Sequence, residues 1–174
     1  KIASDLNNQL FILYGLPGYS RWATGVVDVF NHNTLQFTTL SKTFPQLPFK
    51  ESNVYWISND GTDEITFLTK SPYQVWKYTS KNGFKLRLEM KEWDKEKTFT
   101  YTDPSGPFTC FYKANGYLGF GGHSTSYIIS ENSTKQFATT NYNFIKAVSI
   151  QGNGSLLVKY GINKIEGFGK FKNG

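Results

Sequence analysis

The chain has 174 residues, and its 39% hydrophobic and 18% charged content suits one folded domain with a real core rather than a disordered segment. Its formal charge of +6, from 19 basic and 13 acidic residues, reads first as solubility and only weakly as a pull towards anionic partners. A single cysteine, Cys110, excludes an internal disulfide, and with only His32 and His123 beside it there is no zinc site.

Aromatic residues reach 17%, with 15 Phe and 11 Tyr, which favours strands. In chain order, β-rich runs follow one another with turn signals between them. QLFILY (9–14), RWATGVVDVF (21–30) and TLQFTTL (34–40) come first. VYWIS (54–58), EITFLT (64–69), YQVWKYT (73–79) and FKLRLEM (84–90) come next. TFTYT (98–102), FTCFYKA (108–114), YLGF (117–120), SYIIS (126–130), FIKAVSIQ (144–151) and SLLVKYG (155–161) complete the series. This spacing predicts an all-β sandwich or barrel in a single domain, 1–174, with no internal repeat. Only the tail from Ile162 onward offers a short helix. No apolar run approaches the ~18 residues of a membrane helix. The opening KIASDLNNQ does not read as a signal peptide, and the sequons at Asn132 and Asn153 are of a kind that arises by chance.

Asn82-Gly83 and Asn115-Gly116 suit two-residue turns, whose central residues need φ > 0. Asn59-Asp60-Gly61 marks a third turn. A two-residue turn at Asn82-Gly83 sets Lys81 opposite Phe84, Thr79 opposite Leu86 and Tyr78 opposite Arg87. Val75, Phe84, Leu86, Leu88 and Met90 then form a core face. Trp76, Tyr78, Lys85, Arg87 and Glu89 form a wet face, either a plain cross-strand stack or a platform for sugar rings.

In GYSRWATGVVDV (18–29), Arg21 sits beside Trp22 at the mouth of a strand. With strict alternation, Ala23 and Gly25 share its side and leave room there. The guanidinium could fork onto sugar hydroxyls or a carboxylate, or simply hold the carbonyls of a loop.

Catalytic patterns are sparse. His32 lies in the turn FNHNT and His123 in the glycine-rich GFGGHSTS, which lacks the Lys-Ser and helix of a phosphate loop. No GxSxG elbow occurs. The acidic stretch EMKEWDKEK holds Glu89 and Glu92 at odd spacing, so on a strand they point to opposite faces, unlike a glycosidase pair.

Four blocks resemble one family. GYSRWATGVVDVFNHNT resembles the Arg-Trp strand near the start of the rotavirus spike head, and QVWKYTSKNG its Trp-Lys-aromatic strand and Asn-Gly turn. FTCFYKANGYLGFGG resembles its strand–Asn-Gly–strand hairpin, and NSTKQFATTNYNFIKAV the segment after it. Their order agrees from Gly18 to Val148. The family is the distal, protease-released receptor-binding head of the rotavirus outer-capsid spike protein. The resemblance implies a galectin-like sandwich of two antiparallel sheets, no catalysis and no cofactor. It implies host cell-surface glycans and the remainder of the spike protein as partners, with no nucleic acid and no direct membrane insertion. It also implies a virion-surface location after synthesis in the host cytoplasm.

Sialic-acid-binding members use the arginine that matches Arg21 and a Tyr-Tyr-Ser triplet before Thr-Thr-Asn-Tyr. Gln136, Phe137 and Ala138 stand where that triplet falls, and each polar sugar group left unpaired costs ~1–3 kcal/mol. The expected ligands are therefore neutral galactose- or N-acetylhexosamine-containing glycans of blood-group or lactosamine type, in a rotavirus outside group A. The expected site is a cleft of Arg21, Trp22 and Gln136-Phe137-Ala138; the competing one is the wet hairpin face of Trp76, Tyr78 and Arg87. The alternatives are a β-sandwich glycan-degrading enzyme and an anionic-polymer-binding module, the latter marked by steep loss of binding with salt.

Overall fold

The β-branched and aromatic runs form antiparallel meanders. The computed structural model describes the backbone of residues 2–5, 7, 9–16, 19–59, 63–70 and 72–91, and of seven later strands; side chains are described up to residue 91, except at 15–24. β1 (Ile2–Ser4), β2 (Gln9–Leu16), β3 (Tyr19–Asn31) and β4 (Gln36–Thr39) pair in that order into one antiparallel sheet. β5 (Val54–Asn59), β6 (Ile65–Thr69), β7 (Gln74–Thr79) and β8 (Gly83–Glu89) pair into a second. Between them lie the four-residue helix α1 (Leu40–Thr43) and a 3-10 turn, Glu51–Asn53.

Where the sequence showed no boundary, the chain divides into two compact units, Lys1–Asp94 and Lys95–Gly174. In the second unit, β9 (Cys110–Ala114), β10 (Tyr117–Gly121), β11 (Thr125–Ile129) and β12 (Thr134–Ala138) form a sheet ordered β12-β11-β10-β9. β13 (Phe144–Ile150), β14 (Leu156–Ile162) and β15 (Ile165–Phe171) form another. β15 replaces the short helix expected in the tail, because it pairs with β14 along its whole length, from Ile162↔Ile165 to Leu156↔Phe171. The TFTYT run and the residues Asn115-Gly116 and Asp60-Gly61 lie outside the described residues, although Ala114↔Tyr117 pairing is what a two-residue connection requires.

Within Lys1–Asp94 the two four-stranded sheets face each other over one core, so this unit is an all-β sandwich of antiparallel sheets with almost no helix. Each sheet takes consecutive strands. The first contributes Ala3, Phe11, Leu13, Val27 and Val29 from alternate positions, and the second contributes Val54, Ile57, Ile65, Phe67, Trp76 and Tyr78. Phe11 meets Phe67 edge-on at 5.8 Å and Tyr78 at 5.4 Å between ring centroids. Phe84 adds edge-to-face contacts with Phe67 and Phe44, both at 5.3 Å. Such pairs contribute about 0.5–1.5 kcal/mol each beyond the burial of their area.

Two backbone features shape the first sheet. β3 carries a bulge: Leu13 pairs with Val27 but Gly15 with Ala23, so extra residues accumulate around Gly25. Gly25 has φ 70°, and a Cβ there would overlap the backbone carbonyl of Ser52. Only glycine satisfies both demands. At the far end of β3, Asn31 Oδ1 accepts the N–H groups of Asn33 (2.9 Å) and Thr34 (3.1 Å) and closes the turn to β4. Leu35, 71% exposed, completes that turn at φ 56°.

Candidate functional site

Arg21 and Trp22 lie in the first half of β3, before the bulge. Their side chains lie outside the described residues. The room expected beside Arg21 at Gly25 is not there. The bulge breaks the alternation between residues 21 and 25, and the backbone of Ser52 fills the space over Gly25.

The wet hairpin face of Trp76 and Tyr78 is corrected by the structure. Trp76 is 9% and Tyr78 5% exposed, and both belong to the core. The physical reason is the turn. Gly83, at φ 65°, pairs with Thr79, which leaves three residues, Ser80 to Asn82, to turn the chain. Tyr78 therefore faces Phe84 rather than Arg87, and Trp76 faces Leu86. A second irregularity then steps the register from Trp76↔Leu86 to Val75↔Leu88, with Arg87 as the extra residue. Alternation along β7 is unbroken, so Trp76 lies on the core face and Val75, paired with Leu68 and Leu88, is buried on the opposite one, while Leu86, expected in the core, is 45% exposed. Arg87 is half-buried, and Lys85 is exposed opposite Lys77. Lys77 is neutralised by an ion pair with Glu64.

The buried rings have defined polar ends. Trp76 Nε1 donates to Gln74 Oε1 at 3.1 Å. Burial first, and then the charges of Asp5 and Asp63, push the Tyr78 hydroxyl up to about 12. Asp63 Oδ2 accepts from the Ser80 N–H (3.0 Å) and hydroxyl (2.7 Å). Asp5 Oδ1 accepts from the N–H groups of Asn7 (2.9 Å) and Gln9 (3.0 Å), while Oδ2 is buried without a complete hydrogen bond.

Gln136, Phe137 and Ala138 form the end of β12, paired with Tyr127, Ser126 and Thr125. They belong to the second unit and Arg21 and Trp22 to the first. The Thr-Thr-Asn-Tyr block after them, like His123 and Glu92, lies outside the described residues. Glu89 accepts a hydrogen bond from Gln74 at 3.0 Å and lies 3.7 Å from Lys91. Among the described residues no cluster of three His, Cys, Asp or Glu could hold a metal ion, and no helix is long and apolar enough to cross a membrane.

Sequence reasoning missed the outer face of the first sheet. Ile2 (67% exposed), Tyr14 (41%), Val26 (45%) and Phe37 (59%) keep large apolar surfaces in water there. The signal was available: LFILY in β2 is apolar without alternation, and so, but for Asp28, is VVDVF in β3, the pattern of strands covered on both faces. Tyr14 donates to Asp28 Oδ2 at 3.0 Å on this face, and that hydrogen bond raises its pKa.

The fold defines an all-β chain of antiparallel sheets, and solved structures share it. No protein-family model matches the chain, and no curated protein does. The extracellular domain of the hybrid two-component system BT4673 from B. thetaiotaomicron aligns over 99% of this chain with TM-score 0.57 and 17% identity. PorZ, a surface component of the type-IX secretion system of Porphyromonas gingivalis, aligns over 96% with TM-score 0.50 and 16% identity. The chain spans about a fifth of each of those chains, 20% in both cases. At these identities the likeness is one of fold.

Proposed function

We propose that the chain is a non-catalytic glycan-binding domain, an attachment lectin of the kind carried at the head of the rotavirus spike on the virion surface. The observation that carries this reading is the Gly18–Val29 block, an arginine followed by a tryptophan on the long strand β3, in order with three further matching blocks. With Trp76 and Tyr78 in the core, the Arg21 end of β3 is the better place for the sugar. A guanidinium can fork onto vicinal hydroxyls, and an adjacent indole offers a flat apolar surface to a sugar ring. Gln136, Phe137 and Ala138 lack the hydroxyls that hold sialic acid, so the ligand is a neutral galactose- or N-acetylhexosamine-containing glycan. Monovalent binding is weak, and many spikes on one particle supply avidity.

A glycan array with the purified domain tests the reading. Binding to neutral glycans is expected, and Arg21→Ala should weaken it about tenfold or more, as for loss of a charged hydrogen bond. A blank array refutes the lectin reading. Normal binding by Arg21→Ala moves the site, and loss of cell attachment after sialidase treatment overturns the choice of sugar.

A second reading is favoured by the alignment over nearly the whole chain with one fifth of larger bacterial extracellular proteins. On it the chain is a structural segment of such a protein, binds no glycan, and serves to pack against neighbouring domains.

A further inference from the structure

β2 and β3 are apolar on both faces, and only one face is used by the core. Pairing puts Ile12 opposite Ile2 and Asp28, and Phe30 opposite Phe37, so these side chains share the face turned away from the core. Tyr14 and Val26 extend it along the middle two strands, next to Leu13 and Val27, which point inward. Phe30 and Phe37 pack together at 4.7 Å between centroids. The result is a four-stranded apolar surface.

We propose that this face docks a second copy of the same chain, sheet against sheet. The area suits that occupant. The exposed parts of Ile2, Tyr14, Val26 and Phe37 alone amount to on the order of 400–500 Å² per copy, so a face-to-face pair that covers them fully removes about 800–1,000 Å², at the lower limit for a specific interface. The face is also self-complementary. A twofold axis along the strands lays β1 of one copy over β4 of the other and β2 over β3. The Ile2 edge then meets the Phe37 edge twice, which closes the pair. The packing repeats what the inner face already does against the β5–β8 sheet, at the ~10 Å separation of stacked sheets. Asp28, the charged side chain on this face, enters the interface already holding the Tyr14 hydroxyl. Its charge still opposes burial, so the pair is reversible.

Sedimentation equilibrium between about 1 and 500 μM tests this, a range that covers dissociation constants typical of small interfaces. The mass should double across the range. Val26→Lys and Phe37→Glu should each weaken association at least tenfold with an unchanged urea midpoint, and Asp28→Asn should tighten it. Should a variant fail to fold, hydrogen exchange on the unaltered chain decides. Amides of β1 and β4 should gain protection as concentration rises. A chain monomeric throughout overturns the proposal and leaves the face to a different occupant, such as a sheet of a longer chain. A dimer that survives both Val26→Lys and Phe37→Glu overturns it as well.

Discussion

The two sheets of Lys1–Asp94 have strands of similar composition in different surroundings. β6, ITFLT, is buried at all five positions: Ile65 and Phe67 face the shared core, and Thr66 and Leu68, on the other face, are 2% and 0% exposed. β2 carries LFILY, with Phe11 and Leu13 inside, yet its outer residue Tyr14 is 41% exposed. The outer side of β6 is thus covered, whereas the first sheet is a boundary layer on its outer side. An apolar strand with no alternation signals that both faces can be covered, and does not say by what. The boundary sheet keeps part of its hydrophobic driving force, about 25 cal/mol for each Å² exposed, in reserve for another surface.

That contrast can be broken at the residues that differ most. Phe67→Ala, between the layers, should lower unfolding free energy by about 3–5 kcal/mol, whereas Phe37→Ser on the boundary face should cost under about 1 kcal/mol. Urea denaturation of both variants at low protein concentration measures the gap. Equal losses would mean that the outer face is covered within the monomer. Gly25→Ala probes the joint between the sheets. A methyl group there must displace the Ser52 backbone at a positive φ, and the expected cost is about 2–3 kcal/mol, read from the same titration.

The smallest effect at neutral pH is at Tyr78. Its pKa, raised to about 12 from an unfolded value of 10.0, means that the folded chain holds a proton the unfolded chain gives up. The stability this contributes is complete below pH 10 and is lost as pH rises towards 12, by on the order of 2–3 kcal/mol. Tyr78→Phe should therefore flatten the decline of the urea midpoint between about pH 9.5 and 11. An unchanged alkaline slope would show that Tyr78 is not the buried phenol responsible.

Strand existence was legible because thirteen β-rich runs were separated by turn residues, and nearly all of those in the described region became strands close to their expected limits. Register was not. Reading Asn82-Gly83 as the two central residues of a tight turn shifted every partner and put Trp76 and Tyr78 on the wrong face, and the step at Arg87 shifted the pairing once more at Val75. Neither Gly83's role as a pairing residue nor that bulge has a sequence signature distinct from an ordinary hairpin. β15 was hidden for a related reason: IEGFGKF has glycine at alternate positions where a strand usually shows apolar side chains, and its identity comes from pairing with β14. The Arg21 end of β3 was visible as a motif, but the contact between Gly25 and Ser52 joins residues far apart in sequence and could not be read locally.

Glu51 has a consequence for how the first unit opens. One of its carboxylate oxygens accepts the Val27 N–H at 3.2 Å and the other the Ser41 N–H at 2.9 Å. A single side chain on the 3-10 turn thus ties the strand beside the bulge to the start of α1. Neither amide can be released by moving its own segment alone while the carboxylate stays bonded to both. The crossover from one sheet to the other, residues 40–53, is coupled through that carboxylate to the middle of β3. Pulling the linker away from β3 therefore breaks that carboxylate's hydrogen bond to Val27, a local cost of about 1.5–3 kcal/mol for a charged acceptor that sets itself against fraying of the connection alone.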